Sequence, residues 1–217
     1  MSPRPTMTVS LSNPNICCSH MKTYRINEIF YSLQGEGRHT GRAAVFVRFS
    51  GCNLKCPFCD TDFREYKEMT ADEITKAIAK WKDCGFVVLT GGEPSLQVDE
   101  ALIDALHREG FYIAIETNGT CPLPPTIDWV TLSPKNCFVE HAPALSAKKV
   151  DEVKVVFDGI HDPESWGRVS CMYLNLQPCD TGNAERNREV TRQCVEYIKK
   201  HPQWHLSLQT QKFIHIQ

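Results

Sequence analysis

"FVVLTGGEPSLQVDEALIDALHREGFYIAIETNGT", residues 86–120, runs from one apolar β-rich segment through a glycine-rich loop and a helical segment into a second apolar segment. "FVVLT" (86–90) and "YIAIE" (112–116) read as strands buried on both faces, and "VDEALIDALHREG" (98–110) reads as the helix that joins them. A strand, a crossover helix and another strand make a parallel pair. The alternation continues in both directions. "AVFVRF" (44–49) is a strand, and "TADEITKAIAKWKDCG" (70–85) is a helix opened by a Thr70/Glu73 capping box. Ile74, Ile78 and Trp81 recur in it at helical spacing, and Gly85 closes it. Further strands are expected at "WVTLS" (129–133), "EVKVV" (152–156), "MYLNL" (172–176) and "HLSLQ" (205–209), with a polar helix around 184–200. "YRINEIF" (24–30) adds an edge strand. About six core strands, apolar throughout and too few for a closed eight-fold barrel, indicate a partial parallel β/α barrel. A doubly wound open sheet is the alternative, because the crossovers at 134–150 and 157–170 look poor in helix.

The chain has 217 residues, of which 41% are apolar and 23% charged, and a formal net charge of -2. These are the proportions of a globular protein with a core, and they give no sign of nucleic-acid binding. One domain is expected over 21–217. Residues 1–20, which hold no signal-type apolar run, are expected to form a flexible extension in which Cys17 and Cys18 are unpaired thiols. No stretch is long and apolar enough to span a membrane. Eleven cysteines form one cluster and scattered singles, which argues for a reducing, cytoplasmic setting rather than a disulfide framework.

The distinctive loops all follow strands: "GCNLKCPFCDT" (51–61), "GGEP" (91–94), "TNG" (117–119), "SPK" (133–135) and "QPCD" (177–180). The carboxyl ends of parallel strands share one face, so these loops converge on one cavity. Cys52, Cys56 and Cys59 stand there at C-x3-C-x2-C spacing. Zinc would need a fourth ligand, such as Asp60, His39 or a distant cysteine, whereas a cubane held by three thiolates keeps one iron open.

The cysteine loop with Phe58 before its third cysteine, followed by "GGEP", resembles the radical S-adenosylmethionine superfamily. "EIFYSLQGEGRHTGRAAVFVRFSGCNLKCPFCDTDF" (28–63), "TGGEP", "AIETNGT", "SPK", "QP" and "HPQWHLSLQTQKFIHIQ" (201–217) together resemble the 7-carboxy-7-deazaguanine synthase family. That likeness implies a [4Fe-4S] cluster on Cys52, Cys56 and Cys59, S-adenosylmethionine that is regenerated, and Mg2+ on Thr61. It also implies a pterin substrate, 6-carboxy-5,6,7,8-tetrahydropterin, converted to 7-carboxy-7-deazaguanine with loss of ammonia on the route to queuosine. A reducing protein such as a flavodoxin or ferredoxin would supply electrons, and a homodimer is expected. By the same likeness Leu33, Gln34, Gly35, Arg48, Thr90, Gln211 and Gln217 meet substrate. Phe58, Cys59, Asp60, Gly92, Glu116, Ser133, Pro134, Lys135, Gln177, Pro178, Cys179 and Asp180 then meet the cofactor, with Asn118 beside Glu116.

Several of these residues have plainer readings. Arg48 offers its fork either to a substrate carboxylate or to Glu28 or Glu116. Glu93 reads as a strand-end carboxylate paired with a lysine, and Thr61 as a loop cap. Gln211 stands where relatives carry histidine. Glutamine can hydrogen-bond but does not titrate near neutrality, so a proton-transfer role is not expected at that position. A glycyl-radical activase and a zinc-stabilised module without catalysis are the competing functions.

Overall fold

The computed structural model describes residues 22–167 and 169–217. The expected extension, with Cys17 and Cys18, lies outside them. Nine strands form one sheet: β1 (Thr23–Leu33), β2 (Ala43–Phe49), β3 (Lys67–Thr70), β4 (Phe86–Gly91), β5 (Tyr112–Thr117), β6 (Trp129–Leu132), β7 (Glu152–Phe157), β8 (Tyr173–Pro178) and β9 (Trp204–Leu206). Their order is β3-β1-β2-β4-β5-β6-β7-β8-β9, parallel from β2 to β9, with β1 antiparallel to both β2 and β3. Along the parallel run the order never reverses, so there is no switch point and the doubly wound alternative falls. The edge strands β3 and β9 do not pair, which leaves the barrel partial.

Among the described residues the α-helices are α1 (Ala71–Ile78), α2 (Glu100–Arg108), α3 (Ala184–Lys200) and α4 (Thr210–Phe213). The capping box at Thr70 and Glu73 is formed, and Gly85 takes the left-handed conformation with φ 61. The helix expected over 70–85 is shorter, because a 3-10 segment (Ala79–Cys84) begins after Ile78 and loses helical geometry at Trp81. The Trp81 ring stacks instead on Tyr31, centroids 5.8 Å apart. "YRINEIF" is not an edge, since the short β3 pairs outside it. The last strand covers only Trp204–Leu206, because Ser207 turns away to bond Gln177 and the chain enters α4.

Alternation along each strand divides the core. Val45, Val47, Val87, Leu89, Ile113 and Ile115 pack with Ile74, Ile78, Leu102 and Leu106 of α1 and α2. Val153, Val155 and Leu176 join Val190 and Cys194 of α3. On the inner face Ala44, Phe46, Phe86, Val88, Ala114 and Trp129 form a separate cluster. His39 plugs that cluster between Phe86 and Trp129, at the amino ends of β4 and β6, with ring centroids 5.1 and 4.6 Å away. It therefore sits at the opposite end of the strands from the cysteine loop and is no fourth ligand. The strands are not apolar throughout either: Glu152 and Lys154 are buried on β7.

Leu89 is fully buried beside the loop that follows β4, whereas Leu96 is 43% exposed. Leu89→Ala is expected to lower unfolding stability by about 3 kcal/mol, and Leu96→Ala by less than about 0.5 kcal/mol. Urea denaturation of the two variants measures the difference.

Candidate active site

The cysteine loop leaves β2 and runs directly against the loop after β4. Gly92 N–H donates to the Phe49 carbonyl at 3.0 Å, and Glu93 N–H to the Gly51 carbonyl at 2.8 Å. A Cβ on Gly92 would overlap the Gly51 carbonyl oxygen, and one on Gly91, where φ is +131, would overlap the backbone of Phe49. Only glycine permits this approach. Among the described residues Glu93 pairs with no lysine. Its buried carboxylate accepts from Ser95 N at 3.0 Å, Thr117 Oγ1 at 2.6 Å and Asn118 N at 2.6 Å. Asn118 in turn donates to Asn53 Oδ1 at 3.0 Å, so the loops after β2, β4 and β5 form one unit.

Cys52, Cys56 and Cys59 are free thiols on the wall of a cavity of about 400 Å3. Leu54 N–H points at Cys52 Sγ at 3.4 Å, and Cys59 N–H donates to the Cys56 carbonyl at 3.2 Å. Burial pushes the Cys52 and Cys56 thiols up, and the neighbouring cysteines add to it. Lys135 acts the other way on Cys56. Such a trio becomes fully ionised only against strong positive charge, as thiolates bound to metal are. Among the described residues no three His, Cys, Asp or Glu side chains converge on a single-ion site. Three cysteine thiols from one loop on one cavity wall are the kind of donor set that an iron–sulfur cluster takes.

The same cavity is lined by Phe58, Asp60, Gly92, Glu116, Ser133, Lys135, Gln177, Pro178, Cys179 and Asp180. Pro134 is the exception: it is buried behind the wall. Lys135 donates to Ser133 Oγ, and burial lowers its ammonium pKa. Burial pushes the Cys179 thiol up, with Asp158 and Asp180 adding to it. Lys212 joins Asp60 at 2.8 Å to Asp180 at 2.7 Å. The Lys212 hydrogen bond holds the Asp180 carboxyl down at about 2.

A second cavity of about 410 Å3 adjoins the first and is lined by Leu33, Gln34, Gly35, Arg48, Thr90, Gln211 and Gln217. Asp60, Thr61, Thr90 and Glu116 line both. Arg48 pairs with Glu28, Nε to Oε1 at 2.7 Å. Gln217 donates to the other Glu28 oxygen at 2.7 Å, and its carbonyl accepts from Ser32 Oγ at 2.6 Å. Thr210 N–H donates to the Gly35 carbonyl at 3.1 Å, and the Gln211 side chain fills the space a Cβ on Gly35 would take. Gln211 Nε2 donates to Glu36 at 3.0 Å, whereas its Oε1 is buried without a partner.

The sequence reading missed what joins the two cavities. Lys154 Nζ, from β7, donates to Glu36 Oε2 at 2.7 Å and to Glu116 Oε2 at 2.9 Å. Glu36 also accepts from Gln209 and Gln211, and Glu116 from Gln34 Nε2 at 3.2 Å. The two carboxyls diverge. Burial would raise Glu36, but Lys154 and the two glutamines outweigh it and hold the group at about 2. Burial dominates at Glu116, and with Glu152 and Glu36 nearby it rises to about 7 despite Lys154. The available signal was Glu152 and Lys154 two apart in "EVKVV", which puts both on one face of a strand.

The Radical SAM superfamily profile matches residues 46–201. Over 88% of its length the chain is 52% identical to the 7-carboxy-7-deazaguanine synthase of Bacteroides thetaiotaomicron, 98% of which is covered. It is 43% identical to the 7-carboxy-7-deazaguanine synthase of Burkholderia multivorans over 89% of this chain and 99% of that one. The chain belongs to the 7-carboxy-7-deazaguanine synthase family of the radical SAM superfamily. The fold agrees: the crystal structure of QueE from Escherichia coli superposes with a TM-score of 0.71 at 28% identity, covering 87% of this chain and 94% of that one. Radical SAM membership brings a [4Fe-4S] cluster and S-adenosylmethionine, and the cysteine-lined cavity suits both.

Two outcomes are expected. Gly92→Ala forces the two loops apart and should cut iron bound after anaerobic reconstitution at least about two-fold, read by iron analysis against retained circular dichroism. Glu116 ionises at about 7 in the folded chain against 4.5 for the ordinary group. Its protonated form is therefore favoured by folding, and it contributes a loss of stability as pH rises through that window. Glu116→Gln should flatten the decline in melting temperature between about pH 5 and about pH 8 relative to the unsubstituted protein.

Proposed function

We propose that this chain is a radical SAM lyase that converts 6-carboxy-5,6,7,8-tetrahydropterin to 7-carboxy-7-deazaguanine and ammonia, in queuosine and 7-deazapurine biosynthesis. The observation that carries this reading is 52% identity to a 7-carboxy-7-deazaguanine synthase over 98% of that protein. The paired cavities support it: one carries the three thiols, the other the Gln34–Gly35 loop, and Thr90 and Glu116 line both.

In this reading Cys52, Cys56 and Cys59 hold the cluster, and Phe58 helps keep water from it. When bound, cluster and S-adenosylmethionine would supply the radical chemistry that removes the C6 hydrogen of the pterin. Gly92 receives the methionyl end of the cofactor, while Ser133 and Lys135 offer it polar groups. Gln177, Pro178, Cys179 and Asp180 flank its adenosine, and Glu116 with Asn118 faces the ribose. Gln34 and Gly35 present amide and backbone groups to the pterin edge, Leu33 and Thr90 flank it, and Gln211 and Gln217 close over it. The buried, unpartnered Gln211 Oε1 is an acceptor for a pterin N–H. Arg48 receives the substrate carboxylate by exchanging it for Glu28. Thr61, on both cavity walls, would hold Mg2+, which would supply positive charge to the substrate carboxylate.

The wider setting is also part of the proposal: a flavodoxin- or ferredoxin-type reductant, a homodimer and a cytoplasmic location. Among the described residues no helix is long and apolar enough to cross a membrane. A glycyl-radical activase is not favoured. Among the described residues its extra ferredoxin-like cysteines have no counterpart: Cys84 donates to the Ala43 carbonyl, and Cys194, on α3, is buried in the cluster with Leu176.

Anaerobic reconstitution of the purified chain is expected to give about four irons and four sulfides per chain. With reductant, S-adenosylmethionine, Mg2+ and the carboxytetrahydropterin, it should release 7-carboxy-7-deazaguanine and ammonia. Cys52→Ala should abolish turnover and lower bound iron. Full activity in that variant, or stoichiometric zinc in the active protein, would sink the assignment.

A further inference from the structure

Lys154 faces two carboxylates inside the barrel, and the trio as ions leaves one net negative charge in a buried place. Each Glu116 oxygen has one partner, Gln34 on Oε1 and Lys154 on Oε2, while Glu36 draws Gln209 and Gln211 onto Oε1 besides Lys154 on Oε2. Two carboxyls whose surroundings drive them apart divide the roles of fixed anion and proton carrier. Glu36 is the fixed anion. Both carboxyls line the two cavities, but Glu116, the carrier, alone of the pair stands at the carboxyl end of a core strand. The charged groups around it are Lys154 and Glu152 on β7, Glu36 in the β1–β2 connection, and Lys135 after β6.

We propose that Glu116 moves the proton in the ammonia-releasing step, with Lys154 and Glu36 as its positioning residues, an inference that rests on the reaction proposed above. The chemistry balances without oxidant or reductant. Once the ring has contracted, the carbon that carries the departing amine neighbours a carbon that still bears hydrogen. The Glu116 carboxyl gives its proton to the amine, and the C–N bonding pair leaves with nitrogen as ammonia. The resulting carboxylate takes the proton from the neighbouring carbon, whose C–H pair becomes the new C=C bond. Glu116 ends as it began. Lys154 keeps the transient carboxylate from being an isolated buried charge, and Glu36 keeps Lys154 in place.

The test separates the radical step from the proton step. With substrate deuterated at C6, the wild-type enzyme should transfer deuterium into S-adenosylmethionine and release ammonia. Glu116→Gln keeps the shape of the group and a hydrogen-bonding amide toward the ribose but cannot carry the proton. It should still transfer deuterium, more slowly, while ammonia released per deuterium transferred falls roughly 100-fold. Glu116→Asp should recover about ten-fold or more over Glu116→Gln, because it restores a carboxyl. Ammonia release at the wild-type rate from Glu116→Gln would overturn the proposal. So would a parallel loss of deuterium transfer and ammonia, which marks a purely binding or structural role. A second readout needs no turnover. In the wild-type protein alone, an infrared band of a protonated carboxyl should disappear between about pH 5.5 and about pH 8.5 and be missing from Glu116→Gln. Its persistence in that variant would also overturn the proposal. A wild-type enzyme that gives neither deuterium transfer nor ammonia would instead bring down the activity itself.

Discussion

The ammonium of Lys154 inside the barrel is the contact on which the site depends. A buried lysine is costly unless it is paired and hydrogen-bonded, and here burial is outweighed by Glu116 and Glu36, which raise its pKa. The pairing fixes more than charge. Glu36 belongs to the connection that follows β1, Glu116 to β5 and Lys154 to β7, so one cation draws together parts of the chain 118 and 38 residues away from it. Because Glu36 also accepts from Gln209 and Gln211, the segment around α4 is anchored to the same centre. Removing the ammonium would leave two buried carboxylates facing each other.

A second constraint is carried by backbone alone. The strands β2 and β4 are parallel neighbours, and their pairing continues past Phe49 and Gly91 into the loops as the Gly92 and Glu93 amide contacts. The cysteine loop thus inherits its position from the sheet, and the two glycines matter to it before any cofactor is considered. Glu93 extends the same logic to β5 through Thr117 and Asn118. A strand-end carboxylate thereby serves as the staple for three loops.

Much of this was legible in the sequence. Strand–helix alternation gave the parallel order, Thr70 and Glu73 gave the start of α1, and the position of each motif after a strand gave a shared cavity. What escaped reading depends on register, which composition does not carry. The partner of Arg48 was open between Glu28 and Glu116 until the antiparallel β1 placed Glu28 directly across from it. "EVKVV" read as core because its outward residues are apolar, while the inward Glu152 and Lys154 find partners from distant segments. The short β3 and α4 carry too few residues for any periodicity to show. His39 looked like a metal ligand by type and is a packed ring, a distinction made only by which end of the barrel it occupies.

In the reaction proposed above, the Arg48–Glu28 pair would bear on selectivity. A guanidinium that already holds a tethered carboxylate at 2.7 Å presents little free charge to a passing phosphate or chloride. An incoming acid has to act as an exchanging counter-ion, and it competes best when both its oxygens meet the fork and the rest of the molecule is held elsewhere in the cavity. A flat heterocycle bearing a carboxylate satisfies both conditions at once, whereas its neutral analogue leaves the internal pair undisturbed.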